Sequence, residues 1–174
     1  MREHQKIFML ASCFLQYPEE LELAVIEQEV ASLCHDTVRK LFLQFLDYIK
    51  TTALSERCEV YVRTFDFSEQ TTLYLTYHAL GDEKERGQLF IQLKEQFRQA
   101  GFPLVEEELP DYLPLVLEFA AIAPMEEAQK MLSFHKKNID KLAEQLKNAH
   151  HPYYAVIGGC ALAIDSFLQE KKAS

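Results

Sequence analysis

The sequence predicts an all-α fold, a single-domain helical bundle of about eight helices over residues 1–174, and three observations carry that prediction. Apolar residues recur at spacings of three and four along nearly the whole chain, the period of one helix face. Only 5 Gly and 6 Pro occur among 174 residues, too few for a sandwich or barrel that turns about every ten residues. No stretch alternates with period two for long enough to compete as a strand. With 48% hydrophobic and 26% charged residues, one sizeable core and a wet surface can both be built, which excludes a disordered chain. The run from Ile7 to Leu15, interrupted by Ser12, is far short of the roughly 20 residues that cross a bilayer.

Each element follows from local signals. Ile7, Leu10, Ala11 and Phe14 make one face of a first helix. Leu10-Ala11-Ser12-Cys13 resembles a lipoprotein cleavage box, but the apolar stretch before it is shorter than the ~7 residues an export signal needs, so a helix is the better reading. Pro18, followed by Glu19, Glu20 and Glu22, suits the start of a second helix with the stripe Leu23, Ile26, Val30, Leu33. Asp36 or Thr37 can cap a third, whose buried face reads Val38, Leu41, Phe42, Phe45, Leu46, Ile49. Leu54, Cys58, Tyr61 and Phe65 define a fourth, ending near Asp66. Ser68 offers a cap for a fifth through Leu73, Leu75, Tyr77 and Leu80, closed by Gly81.

Asp82 and Glu85 resemble a capping box opening a helix with Leu89, Phe90, Leu93 and Phe97, which Gly101-Phe102-Pro103 ends. Pro110 and Pro114 are tolerated only where a helix begins, since first-turn N–H groups have no intrahelical acceptor. The helix after them is apolar on several faces and stops at Pro124, as a central bundle helix does. Met125, Ala128, Leu132, His135, Ile139, Leu142 and Leu146 form a narrow packing seam. The last helix follows Pro152, and Gly158-Gly159 inside it costs ~1 kcal/mol per residue against Ala, which predicts another helix lying close against it.

Eighteen basic against 27 acidic residues leave a net charge of −9, which repels nucleic-acid phosphates and attracts a cationic peptide. Cys13, Cys34, Cys58 and Cys160 are scattered without a C-x-x-C pair, as expected of small apolar side chains in a reducing cytosol. No E-x-x-H, H-E-x-x-H, G-x-S-x-G or P-loop motif occurs, so neither a metal, a cofactor nor a catalytic centre is expected. Cys160 and His135 read as core residues.

Three blocks are unusual for a plain bundle. Tyr61-Val62-Arg63-Thr64-Phe65-Asp66 ends a helix with aromatic and charged residues together. Leu80-Gly81-Asp82, with Arg86-Gly87 after it, puts a glycine inside early helical turns, where close approach of another backbone would explain it. Glu108-Leu109-Pro110-Asp111-Tyr112-Leu113-Pro114, running on to Glu118, sets three acids around a buried-type segment.

In these blocks the chain resembles the cytoplasmic assembly chaperones of respiratory nitrate reductase, the NarJ group. The pattern Y-V-x-T-F-D, then L-G-D-x-x-x-R-G, then E-L-P-D-Y-L-P-x-x-L-E, runs in order from Tyr61 to Glu118, and Leu15-Gln16-Tyr17-Pro18-Glu19 looks like the family's opening. The resemblance implies a cytoplasmic chaperone and not an enzyme. Its partner would be the N-terminal tail of the catalytic α subunit of nitrate reductase, held competent for molybdenum cofactor insertion, with cofactor-delivery proteins as further partners and no stable membrane association. On that reading an apolar groove between helices takes the tail. Acids at its rim, with Asp66, Asp82, Glu108, Asp111 and Glu118 as candidates, steer the tail's basic residues. Tyr74, Tyr77 and Tyr112 supply aromatic anchors, and Arg86 belongs to the same blocks. Each residue also has an architectural reading: Asp66 and Asp82 as caps, Arg86 as an i+4 partner of Asp82. Two rivals stand beside this reading: a chaperone of the same fold for a dimethyl sulfoxide or trimethylamine N-oxide reductase, and a helical enzyme using carboxylates such as Glu108 and Asp111.

Overall fold

A computed structural model describes residues 1–77, 84–104 and 108–170 of the chain. Among them are eight α-helices: α1 (Glu3–Phe14), α2 (Leu23–Ala31), α3 (Asp36–Thr51), α4 (Leu54–Tyr61), α5 (Lys84–Gln99), α6 (Leu113–Ile122), α7 (Met125–Asn148) and α8 (Tyr154–Glu170), with a π-helical turn (Val62–Asp66) continuing α4. No strand occurs among the described residues, so the all-α expectation holds.

The core is one continuous cluster, to which α6 and α8 contribute on nearly every face. Helix α1 packs on both, α3 packs on α8, and α7 lies against α6 and α8. The seam of α7 is buried at Ala128, Leu132, His135, Ile139, Leu142 and Leu146, while Met125 at its start is exposed. Of the glycine pair, Gly159 has the neighbouring helix expected of it, whereas a Cβ at Gly158 would first meet the Tyr154 ring of α8 itself, at 2.7 Å. A Cβ added at Gly159 would stand 2.9 Å from the Phe42 ring of α3, so the missing side chain is what lets α3 and α8 come together.

Helix ends match the sequence at some points and depart at others. Gly101 has φ +89°, and Phe102 N donates to Phe97 O at 2.9 Å, the left-handed closure expected for α5. Pro114 sits in the first turn of α6, where it displaces no hydrogen bond. The cap of α3 is neither Asp36 nor Thr37: the His35 ring accepts from Val38 N at 3.4 Å, while Asp36 pairs with Lys40 at 2.6 Å. Helix α2 starts at Leu23, so Glu19, Glu20 and Glu22 precede it.

The helix expected from Ser68 onward is not formed over residues 68–76, which are turns. Thr71, Thr72 and Thr76 are β-branched and poor helix formers. Leu73 and Leu75 are buried with period two instead, and Tyr74 makes an isolated antiparallel bridge with Tyr112. Gly81 and the Asp82–Glu85 capping box lie outside the described residues or depend on them. Gly87 does not have the close neighbour expected of it: among the described residues nothing comes within 4 Å of a Cβ placed there.

Candidate functional site

The described parts of the three blocks of the sequence converge in space. The extended piece Leu73–Leu75 is stitched to the approach of α6: Leu75 N donates to Asp111 O at 3.0 Å and Leu113 N to Leu73 O at 2.9 Å. Alternation then puts Leu73 and Leu75 inward and leaves Tyr74 half-buried beside Tyr112, ring centroids 5.3 Å apart.

Asp111 lies beneath this surface with no exposure at all. Its Oδ2 accepts from Thr76 N at 3.0 Å, from Thr76 Oγ1 at 2.5 Å and from Arg86 Nη2 at 3.2 Å. The Arg86 guanidinium also donates from Nε to Thr76 Oγ1 at 3.2 Å and stacks near the rings of Tyr77 and Phe90, 5.3 and 4.8 Å away. Arg86 and Asp111 thus clamp α5 to the entry of α6, and Asp111, expected at a solvent-facing rim, is an interior strut. Three donors on Oδ2 and the charge of Arg86 offset the loss of water there, while Oδ1 is buried with no hydrogen-bond partner in the protein.

Two grooves open on either side of the Glu108–Leu109 segment. The first, about 960 Å³, runs between Phe65, Phe67, Tyr74, Tyr77, Arg86 and Leu109, with Asp66 and Glu69 among its walls. Phe67 is 84% exposed, a large apolar ring in water with no packing reason to be there. The second, about 870 Å³, is mostly apolar among the described residues: Phe97, Phe102, Leu104, Leu115, Phe119 and Ile122 line it, with Glu108 and Glu118 as the charged groups described there. Glu108 joins the pair, since it lines the second groove and accepts from the Tyr74 hydroxyl of the first at 3.2 Å. Burial first, and then the Glu108 carboxylate, push the Tyr74 phenol up to about 12. Tyr112 is half-buried behind them, its hydroxyl 3.3 Å from that of Tyr61, which in turn donates to Leu15 O at 3.0 Å.

The structure therefore sorts the expected residues. Asp66, Tyr74, Tyr77 and Arg86 meet at the first groove, and Glu108 and Glu118 at the second. Asp111 and Tyr112 support the surface from below, and Asp82 lies outside the described residues. Phe67, Leu109 and Ile122 were not singled out from sequence. Phe67 sits just past a helix end, and Ile122, 44% exposed, closes a helix that is apolar all round, so periodicity gives neither away.

Chemistry is sparse. Burial pushes the Cys160 thiol up to about 12, the reverse of an activated nucleophile. Among the described residues no three His, Cys, Asp or Glu side chains could hold a metal ion, and no helix is long and apolar enough to cross a membrane.

Among the described residues, then, the helical scaffold presents two open grooves with carboxylates at their edges and no catalytic or metal-binding cluster. The chain belongs to the nitrate reductase delta subunit family, whose sequence model matches residues 33–156. It is 34% identical over 167 residues to the probable nitrate reductase molybdenum cofactor assembly chaperone NarJ of Bacillus subtilis (strain 168), covering 94% of this chain and 91% of that one. Similarity extends at 29% over 178 residues to the probable nitrate reductase molybdenum cofactor assembly chaperone NarW of Escherichia coli (strain K12), covering 95% and 73%. It is also 31% identical over 147 residues to the nitrate reductase-like protein NarX of Mycobacterium tuberculosis (strain ATCC 25618 / H37Rv), 84% of this chain but 22% of that longer one. The resemblance to the nitrate reductase assembly chaperones is borne out.

Proposed function

We propose that the protein is a cytoplasmic assembly chaperone that captures the N-terminal tail of the catalytic α subunit of respiratory nitrate reductase, supports insertion of the molybdenum cofactor, and leaves before the enzyme is complete. The observation that carries this reading is the pair of grooves meeting at Glu108, one amphipathic and one apolar, beside the family's own sequence blocks. The names of the relatives support the choice of nitrate reductase.

The chemistry assigns each part a task. A tail with alternating or helically spaced apolar residues buries them against Phe102, Leu115 and Ile122 or against Phe67 and Leu109, and area removed from water supplies most of the affinity. Asp66, Glu69 and Glu118 keep their charges in or near solvent, so they steer basic residues and set orientation more than they add affinity. The Arg86–Asp111 clamp keeps the walls in place before the tail arrives, which lowers the ordering cost of binding. Capture from solution with the apo α subunit, with and without its first few dozen residues, tests the reading: removal of the tail should abolish capture, and capture that ignores its removal contradicts tail binding.

A further inference from the structure

The wall of the first groove that ends in Asp66 and Phe67 is the π-helical turn Val62–Asp66, closed by Phe67 N donating to Val62 O, five residues back, at 3.1 Å. One residue more than an α-helical turn holds rotates the chain beyond it by roughly 100° relative to a straight α4, so the turn decides where Asp66 and Phe67 point. Single π-turns are rare and concentrate at functional sites. Here one buried residue gathers the bonds that hold it. The Thr64 hydroxyl donates to Val60 O at 2.6 Å and lies 2.9 Å from His151 Nε2, and the Thr64 carbonyl accepts from the Thr71 hydroxyl.

His151 reaches Thr64 across 87 positions of sequence, and the backbone places it there. Helix α7 closes with His150 in the left-handed region at φ 52°, His150 N donating to Lys147 O and His151 N to Leu146 O, both at 3.0 Å. The ring is then fixed at both nitrogens. Tyr153 N donates to Nδ1 at 3.3 Å, and the single hydroxyl proton of Thr64 is already given to Val60 O, so the ring is neutral and donates from Nε2. It also stacks on Tyr153, centroids 5.8 Å apart, and Tyr153 meets Phe65 of the π-turn at 4.9 Å. We propose that His151 is a positioning residue for the first groove: through Thr64 it holds the π-turn, and with it Asp66 and Phe67, in the orientation that receives the tail. The inference rests on the reading of that groove as part of the tail's site. A wall fixed before the tail arrives spares the complex the cost of ordering it.

The test uses the full chain and two readouts: amide hydrogen exchange at Thr64 to Phe67, and titration with a synthetic peptide of the first fifteen or so residues of the nitrate reductase α subunit. His151→Asn is too short to bond Thr64, whereas the amide of His151→Gln can stand where Nε2 stood. The Asn variant should speed exchange at the Phe67 amide at least tenfold and weaken the peptide several-fold, and the Gln variant should restore both. From the other side, Thr64→Val should behave as His151→Asn and Thr64→Ser as wild type, so that the bond is tested even if one variant fails to fold. Unchanged exchange in both His151→Asn and Thr64→Val overturns the proposal, as does equal damage from Asn and Gln, which would make the ring mere packing. Faster exchange with peptide affinity unchanged also overturns it, and leaves tail capture standing. A wild-type chain that does not bind the peptide sinks tail capture itself, and the positioning role with it.

Discussion

Arg86 of α5 and Asp111 at the entry of α6 form an ion pair at 3.2 Å with both side chains out of solvent, 8% and 0% exposed. Removing one member of such a pair leaves a buried charge short of a partner, so Asp111→Ala should cost about 3 kcal/mol. Urea unfolding followed by circular dichroism measures it as a fall in midpoint at unchanged slope. A stability equal to wild type would place Asp111 at the surface after all.

His135 of α7 is fully buried, and desolvation lowers its pKa from 6.5 to about 4 against a smaller opposing pull from Asp111. Between those two values the unfolded chain binds a proton that the folded chain refuses, so stability falls as pH drops from about 6.5 to about 4 and is insensitive to this group above that window. The full shift corresponds to roughly 3 kcal/mol. Carboxylates titrate in the same range and cancel in a comparison of wild type with His135→Leu: the variant should lose clearly less stability between pH 7.5 and pH 4.5 (about 3 kcal/mol less at most).

The glycines of α5 and α8 give opposite expectations. Gly87→Ala meets nothing among the described residues, and should stabilise by ~1 kcal/mol through helix propensity. Gly159→Ala meets the buried Phe42 ring at 2.9 Å and should destabilise, by about 1 kcal/mol net once propensity offsets overpacking. Thermal unfolding of the two single variants, side by side, reads both signs.

Charge reversal at the rims separates steering from contact. Asp66 and Glu118 are exposed, so Asp66→Lys and Glu118→Lys should leave the helical signal intact. Each should slow association with a basic tail peptide several-fold at low salt, with the difference shrinking as the Debye length falls below ~10 Å. Stopped-flow association rates at two ionic strengths decide it; a loss confined to the dissociation rate and indifferent to salt would assign these residues to direct contact.

Helix identity was legible where one face is buried and the other wet: the stripes of α3 and α7 and the Gly101 closure could be read directly, because a 3.6-residue period and a left-handed cap are local properties. Gly159 of α8 was legible for a similar reason, its helix-propensity cost pointing to a close neighbouring helix. Residues 68–76 were not, since the pairing of Tyr74 with Tyr112 depends on a segment 38 positions away. Asp111 was misplaced for the same cause: a carboxylate reads as surface until Thr76 and Arg86 are seen to replace its water. The grooves arise where α5, α6 and the turn after the π-helix fail to close on one another, and gaps between elements leave no mark on any single stretch of sequence.

Calorimetric titration of the protein with a synthetic peptide of the first fifteen or so residues of the nitrate reductase α subunit is the most direct measurement. The expected result is saturable one-to-one binding with a negative heat-capacity change, abolished when Ile122 and Leu115 are both replaced by Asp. Absence of heat at several temperatures with the wild-type chain, or binding unaffected by carboxylates placed in the apolar groove and at Phe67, would contradict tail capture by these grooves.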